Sequence, residues 1–161
     1  MVADMQPTLF EIPEQPKKTI ILSLRPKPYT DILNGTKKYE YRRKFSKEAV
    51  SAFIYVSSPA KAIQGYIEFG MPIIDKIENI AAIAEEEKPG SREGTLAYLD
   101  GLEKGFAIPI LSIREIQPLS LEELRSDFHF TAPQSYINVD TNPGLKEDLM
   151  KRLQAFYQAH R

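Results

Sequence analysis

The sequence predicts an α+β domain built around a small mixed β-barrel with flanking helices. Two observations support this fold class. Five or six short segments of β character are separated by segments of helical periodicity, without the regular alternation of strand and helix that is typical of a parallel sheet. The chain also has 161 residues, of which 42% are hydrophobic, and this is enough for one domain with its own core.

The first 18 residues are predicted to be a flexible tail. They contain Pro7, Pro13 and Pro16 and show no apolar periodicity, which is typical of disordered segments. We therefore expect the folded domain to extend over residues 19–161. Within the tail, QPTLF (6–10) resembles the short peptide by which bacterial proteins bind the replication sliding clamp. The residues expected to contact that partner are Gln6, Leu9 and Phe10.

The first folded elements are a strand and a short helix. TIILSL (19–24) is an apolar, β-rich run and predicts a buried strand. Pro28 suits the first turn of a helix, in which Tyr29, Ile32 and Leu33 share one face and which Gly35 ends.

After this helix the periodicity changes to two, which predicts a strand. Tyr39 and Tyr41 lie on one face of it, and Lys38, Glu40 and Arg42 lie on the other. We expect the two tyrosines to enter the core rather than to stack on bases.

The rest of the chain continues the mixed pattern. Ser120 and Glu123 have the spacing of a capping box that opens a helical turn. The other predicted elements are strands at 52–56, 62–70, 106–116 (with Pro109 at an edge or a bulge) and within 132–139, and helices at 75–87, 91–102 and 143–157.

Charge is unevenly distributed, although the net charge is only −1. Residues 25–47 hold eight basic side chains against two acidic ones, and residues 75–103 hold eight acidic side chains against three basic ones. A basic face on a nearly neutral domain suits a partner that bears phosphate. The same distribution also fits two solvated faces without a partner, and charge alone does not separate these interpretations.

Several classes of function are disfavoured by residues that the sequence lacks. It has no cysteine and only two histidines, His129 and His160, so thiolate chemistry and a zinc site are not expected. It has no apolar run of the roughly 18 residues that a membrane helix needs, and it begins without the pattern of a secretion signal. We therefore expect a cytoplasmic protein without cofactor, metal or membrane partner, and we expect His129 to pack between the aromatic residues beside it.

The stretch SLRPKPYTDILNGTKKYEYRR (23–43) resembles the ASCH domains of the PUA-like superfamily. In that family, a first strand with a basic residue and a proline is followed by a short helix and a Gly-x-Lys-Thr-x-Glu-x-Arg pattern. Here the pattern consists of Gly35, Lys37, Lys38, Glu40 and Arg42, with lysine where threonine is common. FIYVSSP, AIQGYIEF and APQSY extend the resemblance, which covers about residues 20–139.

The resemblance implies a small barrel with a cleft at one mouth that binds RNA or a modified nucleotide. We expect a protein of this kind to act as a regulator of RNA metabolism or transcription. Independently, lysine and arginine on a strand face can neutralise phosphates. The residues expected to contact nucleic acid are Arg25, Lys27, Lys37, Lys38, Glu40, Arg42, Arg43, Ser57, Ser58, Gln134, Ser135 and Tyr136.

Glu40 is an acidic residue in the middle of the basic stretch, where it would weaken simple phosphate binding by charge repulsion. It could hold Lys38 or Arg42 in an ion pair, or accept a hydrogen bond from the exocyclic amine of a base. We expect a mixed role, in which Glu40 and Arg42 line the cleft and hold one nucleotide. Strict alternation puts Lys37 on the opposite face, so a twist after Gly35 would be needed to bring it in.

A hydrolase is the first alternative to a binding protein. Some relatives resembling this domain are amidohydrolases of acetylated cytidine that use a lysine, a threonine and a glutamate. Lys37 would match that lysine, but Glu40 occupies the position of the threonine nucleophile, and a carboxylate cannot form the same ester intermediate. A nuclease that uses Lys37, Glu40 and Arg42 stays open. The second alternative is a protein adaptor that docks through the N-terminal tail.

Overall fold

A computed structural model of the chain describes residues 18–160. The strands in this range are β1 (Lys18–Leu24), β2 (Tyr39–Arg42), β3 (Val50–Val56), β4 (Ala62–Phe69), β5 (Ile73–Lys76), β6 (Lys104–Ser120) and β7 (Tyr136–Asn138). The α-helices are α1 (Pro26–Leu33), α2 (Ile77–Glu87), α3 (Arg92–Tyr98), α4 (Leu121–Phe128) and α5 (Pro143–Ala159). None of these helices is long and apolar enough to cross a membrane.

The described strands form one mixed sheet in the order β2-β6-β4-β3-β1-β7, and β5 also pairs with β6. β1 and β3 are parallel, and the other pairs are antiparallel. The order explains why β3 is hydrophobic except at Ser51: it lies between β4 and β1, and all seven of its residues are buried. The α+β class with a mixed sheet is therefore confirmed.

β6 curls the sheet into a half-barrel. Its first part, to Pro109, pairs with β2 and β5, and its later part pairs with β4. The β4–β6 register shifts between Glu68 and Phe69, opposite Ser112 and Ile110, as expected for a bulge that bends a strand. The curl brings β2 back towards β1, so that one guanidinium nitrogen of Arg42 lies 3.4 Å from the Ser23 carbonyl oxygen.

The core has a cluster on each face of the sheet and a third cluster beneath α2 and α3. The barrel interior contains Leu22, Ile54, Ile67, Phe69 and Ile108. The opposite face packs against α4 and α5 through Leu124, Leu145, Leu149 and Leu153. Tyr39 and Tyr41 pack partly buried against Ile80, Leu99 and Ala107, so both tyrosines contribute to a core as the alternation predicts.

Local sequence signals were mostly sufficient to place these elements. α1 and the capping box of α4 form where Pro28, Gly35, Ser120 and Glu123 predict them. The sequence missed β5, because four residues directly before a helix are too few for a periodic pattern. The strand predicted at 106–116 is also too short at its C-terminal end, because β6 continues to Ser120.

The predicted packing of His129 between aromatic residues is wrong. His129 is exposed and ends α4 with a φ of 52°. The left-handed backbone at this position turns the chain out of the helix, and the side chain is left at the surface.

Gly65 allows α1 to lie close to the sheet. Tyr29 of α1 is 3% exposed, and its hydroxyl donates a hydrogen bond to Glu115 at 3.2 Å. A Cβ atom at Gly65 would lie 2.7 Å from that hydroxyl oxygen. Burial, and then the charge of Glu115, raise the pKa of Tyr29, so the phenol stays protonated and keeps donating.

We expect Gly65→Ala to lower the free energy of unfolding by about 1–3 kcal/mol, because the added methyl group must displace the buried Tyr29 ring. Gly94→Ala in α3 is the matched control, because a Cβ there meets nothing within 4 Å. It should leave stability unchanged or raise it by up to about 1 kcal/mol. Urea titration measures both changes. Equal stability of Gly65→Ala and the wild type would contradict the close approach.

Candidate functional site

An open cleft of about 760 Å³ lies where β2 faces the end of β1. Its walls are formed by residues of the strands β1, β2 and β3, the beginning of α1, the helix α3 and the loop before β7. The residues that line it are Ser23, Leu24, Arg25, Pro28, Lys37, Glu40, Tyr41, Arg42, Tyr55, Ser57, Ser91, Gly94, Thr95, Tyr98, Ala132, Pro133 and Gln134.

Glu40 is the most enclosed charged side chain of the cleft, with 9% of it exposed. Its Oε2 atom accepts a hydrogen bond from Arg42 Nε at 2.8 Å. Its Oε1 atom lies 3.6 Å from Lys37 Nζ. A carboxylate this far from water requires such partners, because burial of an uncompensated charge is costly.

Arg42 connects β2 to the other side of the barrel mouth. Besides its bond to Glu40, it donates at 3.4 Å to the Ser23 carbonyl of β1 and at 3.4 Å to the Ser135 hydroxyl. The loop before β7 is itself held on β1, because the Ser23 hydroxyl donates to the Pro133 carbonyl at 2.6 Å. Three of the five N–H groups of the guanidinium are thereby used, and two remain for a ligand.

Lys37 enters the cleft because it precedes β2. The strand begins at Tyr39, so Lys37 belongs to the turn after α1 and does not follow the alternation. The amide of Lys37 donates to the Asp31 carbonyl at 3.1 Å, which fixes the turn. Its ammonium lies 5.1 Å from the centre of the Tyr41 ring and contacts Glu40, and its side chain is 20% exposed.

Glu87, at the end of α2, holds the strand that carries Lys37, Glu40 and Arg42. One carboxylate oxygen accepts from the backbone amides of Lys38 and Tyr39, and the other accepts from the Tyr41 hydroxyl at 2.7 Å. Burial, followed by this hydrogen bond and the charge of Glu87, raises the pKa of Tyr41. Tyr41 therefore stays a protonated donor, and its ring stays fixed beneath Lys37.

Six of the residues expected to contact nucleic acid line this cleft: Arg25, Lys37, Glu40, Arg42, Ser57 and Gln134. Ser135 contacts it through Arg42. Lys37, Glu40 and Arg42 thus converge on one hollow, with Lys37 on the same side as the other two.

The other expected contact residues lie elsewhere. Arg43 donates to the carbonyls of Tyr98 and Asp100 at the end of α3, and Tyr136 packs against Phe45 with 5.1 Å between ring centres. The exposed Lys27 pairs with Asp31 at 2.9 Å. Lys38 and Ser58 are exposed outside the cleft lining. Gln6, Leu9 and Phe10 fall outside the described residues.

Sequence reasoning missed Glu87, Tyr55 and the residues of α3. The run of acidic residues at 85–87 resembles a solvated helix end, and nothing local indicates that Glu87 binds amides about 50 positions away. No group of three or more histidine, cysteine, aspartate or glutamate side chains arranged to hold a metal ion is found within residues 18–160.

A scan against protein-family models finds no match. The chain is similar to a Zymomonas mobilis protein named ASCH domain-containing ribonuclease, with 27% identity over 130 residues that cover 79% of this chain and 86% of that protein. The crystal structure of ASCH from Zymomonas mobilis superposes with a TM-score of 0.65 and 24% identity, over 75% of this chain and 87% of that one.

A crystallised variant of the same protein, with a serine replaced by alanine, has a TM-score of 0.66 at 24% identity and covers 76% of this chain and 88% of its own. The N-terminal domain of Staphylothermus marinus McrB shares the fold at a TM-score of 0.54 and 11% identity, over 84% and 94% of the two chains. The chain is therefore similar to ASCH-domain proteins and shares with these structures the α+β fold that the sequence predicts.

We expect Glu87→Ala to lower the free energy of unfolding by about 1–3 kcal/mol, because it leaves the Tyr41 hydroxyl and two amides without an acceptor. The pKa of Tyr41 should also fall towards its ordinary value, since the neighbouring negative charge is gone. Urea titration and phenolate absorbance at alkaline pH measure the two effects.

Glu86→Ala provides the matched control for this change. Glu86 is the exposed neighbour on the same helix, and its loss should change stability by no more than about 0.5 kcal/mol. If the two variants were equally stable and left Tyr41 unchanged, Glu87 would not hold β2.

Proposed function

We propose that this chain binds single-stranded RNA in the cleft around Glu40 and cleaves the RNA backbone there. The observation that supports this most is that a nearly buried carboxylate meets two cations in one open cleft. The name of the Zymomonas mobilis relative, a ribonuclease, favours cleavage over binding alone.

The cations of the cleft suit a phosphate. Lys37 keeps N–H groups that do not face Glu40, and Arg42 keeps two N–H groups beyond its bonds within the protein. Arg25, at the edge of the cleft, is exposed and has no ion-pair partner among residues 18–160. Charge-assisted hydrogen bonds from such groups to phosphate oxygens are short and strong.

One aromatic side chain of the cleft suits an unpaired base. Of the three tyrosines that line the cleft, Tyr98 is 45% exposed, whereas Tyr55 is 5% exposed and Tyr41 packs against a core cluster beneath Lys37. Any of the four bases can stack on the Tyr98 ring, while Ser57 and Gln134 offer hydrogen bonds to the edge of the base. Bases in a duplex are stacked and inaccessible to a cleft of this kind, so single strands are the favoured substrate.

Glu40 and Lys37 can supply the proton transfers of RNA cleavage. Glu40 takes the proton of a ribose 2′-hydroxyl, and the 2′-oxygen then bonds to phosphorus. The bond from phosphorus to the 5′-oxygen of the next nucleotide breaks, and Lys37 gives that oxygen a proton. Arg42 stabilises the charge on phosphorus-bound oxygens. The products end in a 2′,3′-cyclic phosphate and a 5′-hydroxyl.

The pair also returns to its starting state without an outside donor. After the reaction Glu40 carries the proton that Lys37 has lost. Because Glu40 Oε1 and Lys37 Nζ are 3.6 Å apart, the proton can pass back directly or through one water molecule.

Glu40→Gln is expected to slow cleavage of a single-stranded RNA by about 100-fold or more, because an amide cannot act as the base. RNA binding should be retained, since the variant has the same shape. RNA with a 2′-O-methyl group at every ribose should bind to the wild type and remain intact. Gel analysis of labelled RNA and of its end groups measures this.

Glu86→Gln serves as the control for this experiment, and it should cleave at the rate of the wild type. Cleavage of the methylated RNA, or an unchanged rate for Glu40→Gln, would refute the assignment of Glu40 as the base.

Lys37→Ala is expected to weaken binding of uncleavable 2′-O-methyl RNA and to lower the slope of log affinity against log salt by about 0.7, the value for one phosphate contact on a single strand. Lys47→Ala, which removes an exposed cation of the same basic segment outside the cleft, should leave the slope unchanged. Fluorescence anisotropy at several salt concentrations gives both slopes. Equal slopes for the two variants would count against binding in the cleft.

A further inference from the structure

A second groove, of about 720 Å³, lies beside the cleft on the other side of Lys37 and Tyr41. One wall comes from α1 and the turn after it, and the other from the end of α2 and the turn that follows. The residues that line only this groove are Lys27, Asp31, Asn34, Thr36, Ala84, Glu87, Lys88 and Pro89.

The two hollows are adjacent, because six residues line both. Arg25, Pro28, Lys37, Tyr41, Ser91 and Thr95 line each of them. The boundary is the ammonium of Lys37 above the Tyr41 ring. Each volume falls within the range of about 300–1,000 Å³ that is typical of pockets for small ligands, so each hollow can hold a nucleotide.

The acidic side chains of the second groove already have partners. Asp31 pairs with Lys27 at 2.9 Å, and Glu87 accepts hydrogen bonds from two amides and the Tyr41 hydroxyl. Arg25 and Lys88 are exposed, and neither has an ion-pair partner among residues 18–160. Four cations, Arg25, Lys27, Lys37 and Lys88, line the groove against the two carboxylates, so its lining carries a net positive charge.

We propose that the second groove binds the nucleotide adjacent to the one held in the cleft, so that the substrate is an RNA oligomer and not a mononucleotide. The phosphate between the two nucleotides lies at the boundary, where it meets Lys37 and Arg25, and Lys88 contacts the next phosphate along. This inference rests on the proposed binding of RNA in the cleft and adds the length of strand that the site recognises.

The test uses 5′-phosphorylated 2′-O-methyl uridine oligomers of one to six nucleotides, which cannot be cleaved by attack of a 2′-hydroxyl. Each competes with a labelled hexamer for the full-length protein. Affinity should rise by about tenfold or more between the mononucleotide and the trinucleotide, as stacking and phosphate contacts are added.

Lys88→Ala distinguishes the two hollows. It should weaken binding of the trinucleotide and lower its log–log salt slope by about 0.7, while binding of the mononucleotide stays at the wild-type value. Lys47→Ala should leave both ligands unaffected.

Equal affinity for the mononucleotide and the trinucleotide would overturn the second subsite, and so would a Lys88→Ala effect of equal size on both. In either case, a mononucleotide that still requires Lys37 would leave binding in the cleft intact. If Lys37→Ala had no effect on the binding of any oligomer, the proposed binding in the cleft would be refuted, and the second subsite, which depends on it, would be refuted as well.

Discussion

The site depends on how Glu40 is kept charged with little contact to water. A carboxylate that is 9% exposed is stable only if nearby cations and hydrogen bonds replace its hydration. Arg42 and Lys37 supply that compensation, and each is positioned by other parts of the fold. Arg42 crosses the barrel mouth to the carbonyl of Ser23, and Lys37 sits in a turn fixed on Asp31. Glu40 therefore links the two: Arg42 connects it to the curled sheet, and Lys37 connects it to the turn that forms part of the cleft.

The acidic helices contribute to the same site. Most of their acidic side chains are exposed, but Glu87 holds the amides and the tyrosine of β2, and residues of α3 line the cleft. Arg43 in turn donates to the carbonyls of Tyr98 and Asp100 at the end of α3. The basic segment (25–47) and the acidic segment (75–103) of the sequence thus pack against each other in the fold.

The sequence could predict what depends on near neighbours. Pro28, Gly35 and the Ser120–Glu123 capping box act within a few residues, so α1 and the start of α4 were predictable, and the Gly-x-Lys pattern indicated the similarity to ASCH domains. Lys37 was harder, because strict alternation applies only within a strand, and the strand begins two residues later. Glu87 could not be predicted at all, since its partners lie 46–49 positions away in the chain, and only the packed fold brings them together.

The acidic side chains nearest the cleft have hydrogen-bond or ion-pair partners within the protein, which explains why the cleft can still attract a polyanion. Glu40 and Glu87 face their partners within the protein, and Glu85 accepts from the amides of Gly90 and Arg92, both at 2.9 Å. Those hydrogen bonds also lower the pKa of Glu85, so Glu85 stays charged and keeps its hydrogen bonds to the turn before α3. Replacing Glu85 or Glu87 to strengthen phosphate binding would therefore have the opposite effect. The electrostatic potential of the cleft would become more positive, but the segments that position Lys37 and Arg42 would be held less firmly. A site that must align a phosphate loses more affinity from misplaced groups than it gains from added positive charge.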